Sequence, residues 1–138
     1  MSEPHDSHHS HASHTPDTAF LDLVRKRFSC RAYKPDPVPR DMLESIVEAA
    51  RQAPSACNRQ PWRFVVATDA ELRGRLVSGG LLPGLGMDWV AEAPVILVLG
   101  MERSFVTHGL APAISGVDYP ALDLGIAGEH AVLQATEL

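Results

Sequence analysis

Helices that alternate with two short, strongly apolar runs predict an α/β or α+β domain around a covered sheet. Three observations carry this. Leu43, Ile46, Val47, Ala50 and Ala53 repeat at helical spacing between two prolines, Pro39 and Pro54. The runs Phe64-Val65-Val66-Ala67 and Val95-Ile96-Leu97-Val98-Leu99 are nearly all apolar, which is the pattern of strands covered on both faces. A chain of 138 residues is enough for one domain that buries about two thirds of its unfolded surface without a disulfide or structural metal.

Taken in order, residues 1–16 are expected to be a disordered tail, and residues 17–138 the folded domain. Five of the seven histidines, His5, His8, His9, His11 and His14, lie in the tail. Such a tract reads either as a solvated tail or as a loose metal-binding segment. Thr15-Pro16-Asp17 supplies a cap, a proline for the first turn and an acid for the positive end of a helix. Phe20, Leu21, Val24 and Phe28 give that helix an apolar stripe, and Arg25-Lys26-Arg27 closes it. The segment from Ser29 to Pro39 is extended or turning, with prolines at 35, 37 and 39. Pro39 starts the second helix and Pro54 stops it. A loop, Pro54 to Trp62, leads to a strand over Arg63–Thr68, then a short helix over Asp69–Val77 capped by Thr68 or Asp69. Four glycines in residues 78–86 predict a loop; Gly84-Leu85-Gly86 lacks a third glycine and a preceding strand, so the dinucleotide fingerprint is not met. Met87–Ala93 is a turn or two of helix, Val95–Leu99 the second strand, and residues 102–118 a long loop. Tyr119–Leu138 is helical and apolar on nearly all sides, as buried or interfacial helices are.

Composition narrows the function. Apolar and charged contents of 45% and 21% are those of ordinary globular domains. A net charge of -5 argues against nucleic acid as a general partner. No apolar run approaches the ~20 residues of a membrane-spanning helix. The N-terminus has no apolar core of a signal peptide. Cys30 and Cys57 form no metal-binding or redox spacing, so they are expected as free thiols in a reducing, cytoplasmic setting.

Two clusters could carry chemistry. In Arg27-Phe28-Ser29-Cys30-Arg31, two arginines and a serine alternate along an extended segment and so point to one side. Two guanidinium forks and a hydroxyl suit a phosphate, although cations at a helix C-terminus also complement its dipole and face water. The second cluster is Pro54-Ser55-Ala56-Cys57-Asn58-Arg59-Gln60-Pro61-Trp62. Asn58 and Gln60 each offer a donor and an acceptor, which could match the edge of a flat polar heterocycle or cap neighbouring backbone. Pro54 and Pro61 hold the loop rigid. Cys57, His108, Glu129 and His130 form no convincing nucleophile or acid–base pair, so no catalytic side chain and no metal ligand is assigned.

The series Arg27-x-Ser29-x-Arg31, Tyr33-x-Pro35-x-Pro37-Val38-Pro39 and Ala49-Ala50-Arg51-x-Ala53-Pro54-Ser55-Ala56-x-Asn58-x-Gln60-Pro61-Trp62-x-Phe64-Val65-Val66 resembles the nitroreductase family, FMN-dependent NAD(P)H oxidoreductases. Ala93-Pro94-Val95-Ile96-Leu97-Val98 resembles that family's next strand. Asp123-Leu124-Gly125-Ile126-Ala127 and Glu129-His130-x-Val132-Leu133-x-Ala135 resemble its long central helix. The resemblance implies an α+β fold, a central sheet flanked by helices, and a homodimer with FMN at the subunit interface. It implies that Arg27, Ser29 and Arg31, with the Phe28 backbone, hold the FMN phosphate and ribityl region. Pro54, Ser55 and Ala56 would line the flavin ring, and Asn58 and Gln60 would bond to the flavin. NAD(P)H would be the reductant and a small electron-poor molecule, such as a nitroaromatic or quinone, the acceptor. Family members continue past this helix with a Gly-Leu-Gly-type turn and further strands, which these 138 residues do not include. The fold is therefore expected to lack its C-terminal part, and a non-catalytic flavin-binding or dimerisation module is the alternative reading.

Overall fold

The computed structural model describes residues 18–80, 87–102 and 111–138. The histidine-rich tail, the Thr15-Pro16-Asp17 helix start, most of the glycine-rich loop and His108 lie outside the described residues. The first helix, α1, is Ala19–Lys26; Thr18 caps it, its Oγ1 accepting from the Leu21 N–H at 3.2 Å. Helix α2 is Arg40–Arg51, with Pro39 at its N-cap. The proline ring fixes φ where no helical N–H is lost. A short 3-10 turn, Ala56–Asn58, leads into β1, Trp62–Ala67. Helix α3, Ala70–Gly80, starts where Asp69 Oδ1 accepts from the Leu72 N–H at 2.9 Å. A second 3-10 turn, Asp88–Glu92, precedes β2, Ile96–Met101. Helix α4, Ala111–Ser115, is a single turn within the expected long loop. Helix α5, Tyr119–Glu137, is capped by Asp118, whose Oδ1 accepts from the Ala121 N–H at 3.2 Å.

The described strands form one antiparallel pair, with Trp62 opposite Met101 and Ala67 opposite Ile96. The Glu102 N–H extends the ladder by donating to the Pro61 carbonyl at 2.7 Å. Both strands are apolar, yet they are not covered on both faces. Along β1, Trp62 and Ala67 are buried, while Arg63 and Val65 point outward, Val65 being 50% exposed. Side chains alternate across a strand, so Trp62, Phe64 and Val66 share the better-covered face, while on the face of Arg63 and Val65 only Ala67, at the strand's end, is buried.

The core is built from small residues. Ala50, Ala53, Ala67, Ala93, Ala127 and Ala131 are buried, together with Trp62. Trp62, Ala53 and Ala127 form its centre, with Phe64, Leu124 and Ile126 packed around them. Alanines at these positions let α2 and α5 approach closely. Two polar contacts fix their register: the His130 Nδ1–H donates to the Ala49 carbonyl at 3.2 Å, and Gln134 Nε2 donates to Ser45 Oγ at 3.0 Å. His130 is thus a packing partner between helices. At Gly128 a Cβ would lie 3.3 Å from Leu99 Cδ2, so glycine lets α5 sit tight on β2.

The apolar stripe of α1 is not core. Phe20 is 65% and Phe28 72% exposed, and Val24 is also exposed. The amphipathic period is there, and α1 meets α5 with Leu21 and Leu23 half-buried, but Phe20, Val24 and Phe28 stay largely outside that contact.

Candidate functional site

The loop between α2 and β1 has an unusual backbone. Cys57, Asn58 and Gln60 all take the left-handed conformation, with φ of 53°, 51° and 49°. Asparagine tolerates this region; cysteine and glutamine do so at a cost of order 1–3 kcal/mol each. Such strain persists only where surroundings dictate it, and here the tethers are visible. The Asn58 N–H donates to the Ser55 carbonyl at 3.0 Å and the Arg59 N–H to the Ala56 carbonyl at 3.2 Å. The Gln60 N–H donates to Ser55 Oγ at 2.9 Å. The Ala56 N–H donates to the carboxylate of Asp123, on α5, at 3.0 and 3.2 Å to its two oxygens. Gln60 Nε2 donates to Asn58 Oδ1 at 2.9 Å. The two amides therefore form one exposed unit. The Asn58 NH₂ group and Gln60 Oε1 have no partner among the described residues, so a donor and an acceptor remain for a ligand.

The basic segment follows α1. The Arg27 N–H donates to the Leu23 carbonyl and its own backbone is extended, so the chain leaves the helix there. Arg27, Ser29 and Lys26 line an open depression of about 670 Å³, closed on its far side by Val132, Ala135 and Thr136 of α5. Arg31 does not line it. Its guanidinium carbon lies 5.9 Å from the ring centre of Trp89, and Tyr33 stands 6.1 Å from the same ring. The Tyr33 hydroxyl donates to the Cys30 carbonyl at 3.2 Å. Burial, with a smaller push from Cys30 and against the pull of Arg31, raises the Tyr33 phenol above its ordinary value. The Arg31–Trp89 contact is absent from any sequence reading, because it joins segments separated by two helices and a strand.

The two clusters thus sit at different places on α5. Asp123 meets the loop and Val132 begins the floor of the depression; nine residues of helix separate them, about 14 Å of axial rise. Pro54 is exposed, Ser55 and Ala56 are half-buried, and all three lie on the loop's approach to Asp123. Cys30 and Cys57 are free and exposed. No group of acidic, histidine or cysteine side chains able to hold a metal occurs among the described residues, and no described helix is long and apolar enough to cross a membrane.

Comparison with known proteins places this arrangement. The nitroreductase family model matches residues 24–78, a stretch that holds both clusters. The NADH dehydrogenase of Thermus thermophilus is 49% identical over 74 residues, covering 54% of this chain and 34% of that protein. A nitroreductase family protein from Clostridium novyi NT superposes with a TM-score of 0.73 at 25% identity, covering 87% of this chain and 65% of that one. An FMN-dependent nitroreductase from Clostridium difficile R20291 superposes with a TM-score of 0.65 at 27% identity, covering 85% and 60%. The class defined here is an α+β fold, that of the nitroreductase-type structures it superposes on. The chain is similar to the nitroreductase family over residues 24–78 and shares part of the fold of its solved structures; it spans 34% of the Thermus protein and 65% of the Clostridium novyi chain.

Proposed function

We propose that this chain serves an FMN-dependent NAD(P)H oxidoreductase that reduces an electron-poor acceptor such as a nitroaromatic or quinone. The observation that carries the reading is the strained loop, which holds a side-chain donor and acceptor unspent at its exposed tip. The residues suit the cofactor: Arg27 and Ser29 offer a charged fork and a hydroxyl around a depression, as a phosphate requires, and Arg31 stands beside them. Asn58 and Gln60 offer complementary polar groups for a flavin edge. Pro54, Ser55 and Ala56 would line the ring.

FMN bound there would supply two-electron chemistry between NAD(P)H and the acceptor. The protein's part is placement. The loop is fixed before any ligand arrives, so little ordering entropy is lost on binding. No side chain is required as acid or nucleophile, because the cofactor carries the chemistry.

A homodimer is part of the proposal. The two clusters stand about 14 Å apart along α5, and the apolar face of Phe20, Val24 and Phe28 is exposed beside the basic one. A second copy covering that face could bring its loop toward the depression of the first. A second reading is a flavin-binding or dimerisation module without turnover.

The test is an FMN titration followed by NADH and NADPH oxidation with a quinone and a nitroaromatic. Saturable flavin binding with acceptor-dependent NAD(P)H loss is expected. Flavin binding with no turnover would establish the module instead, and no flavin binding would remove both readings.

A further inference from the structure

We propose that Asp123 is a positioning residue: its buried carboxylate holds the loop from Pro54 to Gln60 in the left-handed shape that presents Asn58 and Gln60. The consequence for flavin rests on the reading above, but the hold itself is a property of the ligand-free chain.

Asp123 is 4% exposed and is the one buried polar or charged side chain among the described residues. Its neighbours on α5 are Leu122, Leu124 and Ile126, so packing alone would be served by leucine. Burying a carboxylate is costly unless it is bonded. What it gains is the Ala56 N–H, reached across 67 residues of sequence. Position matters as much as distance. Ala56 is the first residue of the 3-10 turn, and the next two residues are the left-handed Cys57 and Asn58. At the start of such a turn the N–H has no internal partner, and Asp123 supplies one. One bond therefore fixes where the turn begins, while Ser55 Oγ, accepting from the Gln60 N–H, fixes where it finishes. Between these anchors the backbone has little choice but to reverse through left-handed residues.

The experiment compares Asp123→Ala, Asp123→Asn and Ser55→Ala in the full chain. Backbone amide exchange is read in the absence of flavin, then FMN affinity, with the Ala127 and Ala131 amides of α5 as controls for folding. Asp123→Ala is expected to speed exchange at Ala56 and Asn58 and to weaken FMN by roughly tenfold or more, the usual effect of losing a bond to a charged group. Asp123→Asn keeps an acceptor oxygen and should restore most of the protection. Ser55→Ala removes only the hydroxyl that accepts from Gln60 and should free the Gln60 N–H while Ala56 stays protected. Unchanged exchange at Ala56 in Asp123→Ala would overturn the proposal. So would an asparagine variant no better than alanine, or a Ser55→Ala chain that loses Ala56 protection as well. Should alanine at 123 prevent folding, the asparagine and Ser55→Ala chains still decide. If exchange responds as expected while the parent chain binds no FMN, the flavin reading falls and the positioning role stands.

Discussion

At the scale of single residues, charge placement yields two predictions. Arg27→Ala should weaken FMN binding by ~1.5–3 kcal/mol, the worth of a charge-assisted contact, as read by flavin titration, and Arg31→Ala, whose guanidinium lies outside the depression, should weaken it less. Arg31→Ala should in addition change Trp89 emission, because the guanidinium lies over that ring; Trp62 is buried and should not respond. The second concerns Glu48. Its hydrogen bonds with Arg51, then Gln52, hold its carboxyl at about 2, below the ordinary 4.5. A group depressed on folding contributes stability that is fully present above its unfolded value and is lost as pH falls through the folded one. The window is thus from about 4.5 down to about 2. Glu48→Gln should lower the urea midpoint at about pH 5, with the difference from the parent vanishing near the folded value. Both partners are exposed, so salt should shrink the effect.

At the scale of elements, the sequence is a good guide where the signal is local. Pro39 and Pro54 bracket α2, Asp69 caps α3, and the apolar content of β1 and β2 marks them as strands. The pairing direction is not local, and neither is the one-sided cover of β1, which depends on what lies across the sheet. The phosphate-type cluster and the amide loop are both legible as motifs. The left-handed backbone of the loop is not, because Cys57 and Gln60 are poor formers of that conformation and no glycine announces it. Asp123 leaves a faint sign, an acid inside an apolar helix, whose meaning needs its distant partner. Two substitutions test the elements. Gly74 lies within α3, and a Cβ added there would meet nothing within 4 Å. Gly74→Ala should therefore stabilise by ~0.5–1 kcal/mol through helix propensity, seen as a rise of a few degrees in Tm. Trp62→Ala removes the largest buried side chain of the core centre and should cost ~3–5 kcal/mol, measured by urea unfolding.

At the scale of the whole molecule, the described chain buries alanines well and large apolar residues poorly. Phe20, Phe28, Ile114 and Leu122 all remain exposed, and where exposed apolar residues gather into a patch they mark an interaction site. Sedimentation should show self-association, strengthened by FMN; Phe20→Ser should shift it toward monomer, and a monodisperse monomer with flavin bound would remove the dimer from the proposal. The manner in which α5 is tied down has one more consequence, for the order of folding. Its bonds reach back 67 residues to Ala56, 81 to Ala49 and 89 to Ser45. Contacts so remote along the chain are slow to form, because loop-closure entropy is lost before they stabilise anything. During synthesis α2 and β1 emerge long before the helix that covers them. Their apolar faces are therefore open to chaperones, or to one another, until α5 arrives to close the core.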